Sequence, residues 1–120
     1  MSKLTLLNQL INYEIPPDEI NKNISNYLWD SESELTILTR NQLRNFLKIY
    51  VEHRIDENEV ENWANLIEGR EDIGYEANYE GLLKQFIYRL ANPYLVGEIT
   101  RSMAEKMMLD LDENTYKKYK

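Results

Sequence analysis

Along this chain apolar residues recur every three or four positions, the period of a helix with one buried face, and the two-residue alternation of strands is scarce. Leu4, Leu7, Leu10 and Ile11 form a first stripe, which Pro16-Pro17 ends. The same prolines suit the opening turn of a second helix. Asp18 and Glu19 favour its N-terminal dipole, and Ile20, Ile24, Tyr27 and Leu28 supply its apolar face. Beyond the polar stretch Asp30 to Glu34, Thr39 is placed to cap a stronger helix carrying Leu43, Phe46, Leu47, Tyr50 and Val51, ending near Arg54. Asp56 with Glu59 three residues on is a capping-box variant. Val60, Trp63, Ala64 and Ile67 follow it, and Gly69 is a natural stop.

The charged segment Arg70 to Tyr79 contains Gly74 and reads as a loop or a further short turn. Leu82, Leu83, Phe86, Ile87 and Leu90 define the most apolar helix. Asn92-Pro93 closes it, because proline disfavours a helical residue before it. Tyr94 to Ile99 is then a connector, and Thr100 or Ser102 caps a last helix with Met103, Ala104, Met107, Met108 and Leu111 inside. The pattern predicts an all-α fold, a compact single-domain bundle of five or six short helices over residues 1–112, with residues 113–120 a frayed tail. Leu35 to Leu38 and Tyr94 to Val96 are the two stretches compatible with a short strand.

Composition narrows the class of protein. With 42 % hydrophobic and 29 % charged residues, the chain has the make-up of a globular domain that needs no covalent staple. There is no cysteine, which excludes disulfides, thiolate metal sites and thiol nucleophiles. The N-terminal apolar stretch is broken by Asn8, Gln9 and Asn12 without a small-residue cleavage site, and no run reaches the roughly 20 apolar residues of a membrane span. The expectation is a cytoplasmic protein with no membrane partner, monomeric in the simplest reading.

The net charge of −7 opposes binding to a phosphate backbone, so nucleic acid is not the expected partner and a basic protein is. One segment holds the imbalance. Between Glu52 and Glu80 ten acids face only Arg54 and Arg70, a net −8, so the remainder is close to neutral. Aromatic residues crowd the same region: Trp63, Tyr75, Tyr79, Phe86, Tyr88 and Tyr94. Trp63 shares a stripe with Val60 and Ile67 and belongs to the core. Tyr75 and Tyr79 belong to no stripe and sit among Glu71, Asp72, Glu76 and Glu80. Tyrosine gives rigid contact area and a hydroxyl, and carboxylates around it would steer and pair with lysine and arginine. Glu68, Glu71, Asp72, Tyr75, Glu76, Tyr79 and Glu80 are therefore the candidate partner-binding residues. The bland alternative is that these tyrosines edge the core and the acids are solvated.

Catalytic and metal-binding signals are weak. His53 is the only histidine and reads as a solvent-facing or half-buried helix residue. Asp110, Asp112 and Asn114 match the start of a calcium loop, but Thr115 stands where its turn glycine belongs and no distal glutamate follows. No glycine-rich phosphate loop is present, and acidic pairs such as Glu57 and Glu61 work as acid and base only where burial drives their pKa values apart. No cofactor, metal or catalytic residue is assigned, and the chain is not expected to be an enzyme.

The runs EVENWANLIEGREDIGYE and GLLKQFIYRLANPYLVGEIT, with the final short helix, resemble small all-helical bacterial immunity proteins of contact-dependent growth inhibition and colicin-like toxin systems. The resemblance spans about Leu43 to Leu111 and rests on a Trp-Ala, Arg-Glu-Asp-Ile and Leu-Ala-Asn-Pro pattern. It implies a cytoplasmic protein that binds a cognate toxin domain, often a cationic nuclease, and blocks it. Two other readings stand beside it. One is a helical interaction module or adaptor unrelated to toxins, presenting Met103, Met107 and Met108. The other is a DNA-binding regulator using Arg40, Arg44 and Lys48, which line up on one side of a helix.

Overall fold

Six helices and one short parallel ladder make up the described part of the chain, residues 3–14, 19 and 36–112 of a computed structural model. In chain order they are α1 (Lys3–Ile11), β1 (Thr36–Leu38), α2 (Arg40–Val51), α3 (Glu57–Ile67), β2 (Ile73–Tyr75), α4 (Glu80–Ala91), α5 (Pro93–Val96) and α6 (Arg101–Leu111). The stripe of the expected second helix, from Ile20 to Leu28, lies outside the described residues, as does the tail 113–120.

Three of the helix starts follow from local chemistry. Thr39 accepts the Gln42 amide while the Gln42 side chain accepts the Thr39 amide, a complete capping box. Asp56 accepts the Glu59 amide at 2.9 Å, and Thr100 accepts that of Met103 at 3.1 Å. Past α3 the backbone turns through Gly69 at φ +79°, a conformation in which a Cβ is strained.

The helices close on one core. α2 packs against α6 and α3 against α4, while α1 lies beside β1. Phe46 of α2 stacks on Trp63 of α3, centroids 3.7 Å apart and planes 13° from parallel, and Tyr13 tilts onto Phe46 at 5.3 Å. The fully buried Trp63 indole donates to the Leu10 carbonyl at 2.7 Å. That carbonyl lies in the last turn of α1, where helix acceptors lack partners within the helix, so one bond ties α1 to α3. In α1 packing selects Leu6, Leu7, Leu10 and Ile11, leaving Leu4 exposed, so Leu6 replaces Leu4 in the expected stripe.

The fold is mostly helical but not all-α, because β1 and β2 pair in parallel. Thr36 faces Ile73, Ile37 faces Gly74 and Leu38 faces Tyr75. Bonds from the Thr36 amide to the Asp72 carbonyl and from the Glu76 amide to the Leu38 carbonyl carry the ladder to both ends. The first strand falls in one of the stretches compatible with a strand; the second replaces the expected loop. Parallel pairing needs a long crossover, here α2 and α3. Strands of three residues are too short for alternation to register in sequence.

Candidate functional site

The seven candidate residues run from the end of α3 through β2 into the start of α4, and the structure divides them among three environments. The turn after Gly69 comes first. Arg70 donates from Nε and Nη2 to the two Asp72 oxygens, at 2.8 and 2.9 Å, and the two side chains are 1 % and 0 % exposed. Asp72 therefore cannot touch a partner. It is a correction to the candidate set: the carboxylate is turned inward to neutralise a buried guanidinium beside the first rung of the ladder.

Glu76 and Tyr79 form the second environment. Glu76 follows β2 directly, and its carboxylate takes three bonds from the Arg40 guanidinium, the shortest 2.8 Å, and a fourth from the Arg40 amide at 2.9 Å. That amide opens α2, so the carboxylate also meets the positive end of the helix dipole. Hydrogen bonding from Arg40 holds the Glu76 carboxyl below its ordinary pKa, against the smaller opposing effect of burial. The same guanidinium lies over the Tyr79 ring, 3.6 Å from its centroid. Glu76, Arg40 and Tyr79 thus form a clasp between the ladder and the starts of α2 and α4, with the Glu76 charge matched internally.

The remaining four do meet. Glu68, Glu71, Tyr75 and Glu80 line one open cleft of about 570 Å³, together with Arg70, Lys84 and Ile87. Glu68 caps the end of α3, half-exposed, and accepts from the Asn92 amide group at 3.0 Å. Glu71 projects into solvent from the turn, and Glu80 opens α4 while accepting the Asn78 amide at 2.7 Å. Tyr75 is half-buried at the end of β2, with the Lys84 ammonium 5.7 Å from its ring centre. Burial, and after it the Glu68 carboxylate, push the Tyr75 hydroxyl above its ordinary pKa, so it stays a neutral donor. Among the described residues the cleft combines three carboxylates, one tyrosine and one exposed lysine, while the Arg70 charge is met by Asp72.

Other acids of the segment also act within the fold. Glu57 accepts the Tyr50 hydroxyl at 2.7 Å and lies 3.7 Å from Arg101, Glu59 accepts the Tyr13 hydroxyl, and Asp56 caps α3. Burial first, then Glu57, raises the Tyr50 pKa. The sequence excess of acid therefore overstates the free acidic surface.

One surface escaped the candidate set. The connector after Asn92 is the short helix α5, none of whose residues is buried: Tyr94 is 95 % and Leu95 75 % exposed. Its signal in sequence was an apolar run that joined no helical stripe. The alternative surfaces are less available. Met107 is buried and Met103 and Met108 pack against the core, Arg40 is held by Glu76, and Arg44 lies 3.9 Å from Asp112. His53 is exposed at φ +64°, in the turn beyond α2 rather than within a helix. Among the described residues no three His, Cys, Asp or Glu side chains gather as a metal site, and no helix is long and apolar enough to cross a membrane. Comparison with protein-family models, curated proteins and solved structures finds no match.

Proposed function

We propose that this chain acts by binding a basic protein in the cytoplasm, as an immunity protein that neutralises a cognate toxin domain, with the cleft between α3, β2 and α4 as its contact surface. The observation that carries the reading is the convergence of Glu68, Glu71 and Glu80 around Tyr75. These residues come from a helix end, a turn, a strand and a helix start, so the fold gathers negative charge around one aromatic side chain. Such a surface attracts lysine and arginine at long range and offers tyrosine contact area on docking. Asp72 takes no part and Glu76 only a minor one, because both carboxylates already face arginines. The resemblance to immunity proteins supplies the kind of partner, and the acidic cleft supplies the means of holding it.

The test is co-expression of the tagged chain with the product of the gene immediately upstream, followed by association kinetics on the purified pair. A salt-sensitive 1:1 complex is expected, with Glu71→Lys plus Glu80→Lys slowing association by about tenfold at low salt. Folded charge-reversed protein that associates at the wild-type rate would refute the cleft as the contact surface.

A further inference from the structure

The exposed apolar helix α5 is held in a defined shape. A single helical turn has no stability alone, since nucleation costs more than one bond returns. Here Pro93 sets the first helical position, and the Asn92 carbonyl accepts the amides of Leu95 and Val96 at 3.0 and 3.1 Å. The Asn92 side chain is itself tied to Glu68 and to the Tyr88 carbonyl. Gly97 closes the turn at φ +138°, ψ 155°, a conformation nearly restricted to glycine, and its amide donates to the Pro93 carbonyl at 2.9 Å. Ile99 then returns to the core. The backbone is ordered on both sides while Tyr94 and Leu95 remain in water.

The foot of this knob is acidic. Glu57, Glu61 and Glu98 line an open cleft of about 480 Å³ with Pro93, Tyr94 and Ile99, and among the described residues no lysine or arginine lines it. Glu57 is engaged by Tyr50 and Arg101, whereas Glu61 and Glu98 have no side-chain hydrogen bond or ion pair among the described residues. An apolar projection flanked by unopposed carboxylates selects its occupant by charge: an apolar socket bordered by lysine or arginine fits, and one bordered by acids is repelled. We infer that α5 is the hydrophobic anchor of the complex, Tyr94 and Leu95 entering an apolar pocket of the basic partner while Glu61 and Glu98 pair with cations at its mouth. The inference rests on the proposed binding function and assigns it a second contact, apart from the Tyr75 cleft. Because the knob is preformed, little ordering entropy opposes docking.

The same upstream gene product serves as the probe. Tyr94 and Leu95 bury little in the free chain, so Tyr94→Ala and Leu95→Ala should melt close to wild type. Each should weaken binding roughly 30-fold, mainly through faster dissociation. Glu61→Lys plus Glu98→Lys should instead slow association in a salt-dependent way. A stable complex with the wild-type chain that the Tyr94 and Leu95 variants form equally well overturns the anchor and leaves the binding function standing. No complex with the wild-type chain overturns both. Concentration-dependent self-association of the purified chain, abolished by Tyr94→Ala, overturns the assignment of a basic partner by making a second copy the occupant.

Discussion

Replacing Asp72 by alanine tests whether its carboxylate holds the fold or serves the surface. The substitution removes both oxygens from the buried Arg70 guanidinium, including the bonds of 2.8 and 2.9 Å. Deleting one member of a buried pair costs about 3–5 kcal/mol, because the remaining charge is left in a poorly solvating interior. A chain of 120 residues has a stability of roughly 6–18 kcal/mol, so the variant should fold but be fragile. At roughly 2.1 cal/mol/K per residue the unfolding entropy near the midpoint is about 0.25 kcal/mol/K, which converts the loss into a Tm lower by about 12–20 °C. Circular dichroism melts and urea titration would measure it. The folded variant should still bind the partner with near wild-type affinity, unlike the Glu71 and Glu80 reversals. Arg70→Met combined with Asp72→Val, which removes both charges, should recover much of the loss. A Tm drop below about 4 °C for Asp72→Ala, or a double variant as unstable as the single one, would refute the reasoning.

Three further outcomes follow from the same geometry. Glu76 has a depressed carboxyl pKa in the folded state, so its contribution is complete above the ordinary value of 4.5 and disappears as pH falls through the lowered one. The urea-midpoint advantage of wild type over Glu76→Gln should shrink from about pH 5 to pH 3; a pH-independent difference would contradict the clasp. Trp63→Phe keeps a ring against Phe46 but loses the bond to the Leu10 carbonyl, and should cost about 1–3 kcal/mol. Hydrogen exchange should quicken in α1 more than in α6, and equal changes would count against that tie. Gly97→Ala meets no atom of the described residues within 4 Å, so its cost is conformational, about 1–3 kcal/mol at φ +138°. A melt within 1 °C of wild type would show the turn is free to change shape.

What the sequence determined by itself was local. Thr39 with Gln42, Asp56 with Glu59, and Thr100 with Met103 lie three residues apart, so capping geometry is written into spacing. The stripes from Leu43 to Tyr50 and from Val60 to Ile67 were legible because a 3.6-residue period brings them to one face without help from the rest of the chain. Tertiary structure decided what depends on distant partners. Three residues of β1 become a strand because Ile73 to Tyr75 lies alongside, and 34 residues separate the two in the chain. Asp72 and Glu76 looked like Glu71 and Glu80 in a run of acids, yet one turns inward to Arg70 and the other reaches Arg40. Composition counts charges but cannot say which are matched, since an ion pair is a distance across the fold. Tyr94 to Val96 reads in sequence as a connector compatible with a short strand, but whether such a stretch is core or surface depends on the elements that pack against it. Here the described elements leave its outer face uncovered, and the most exposed tyrosine among the described residues is held out in water by a proline, an asparagine and a glycine.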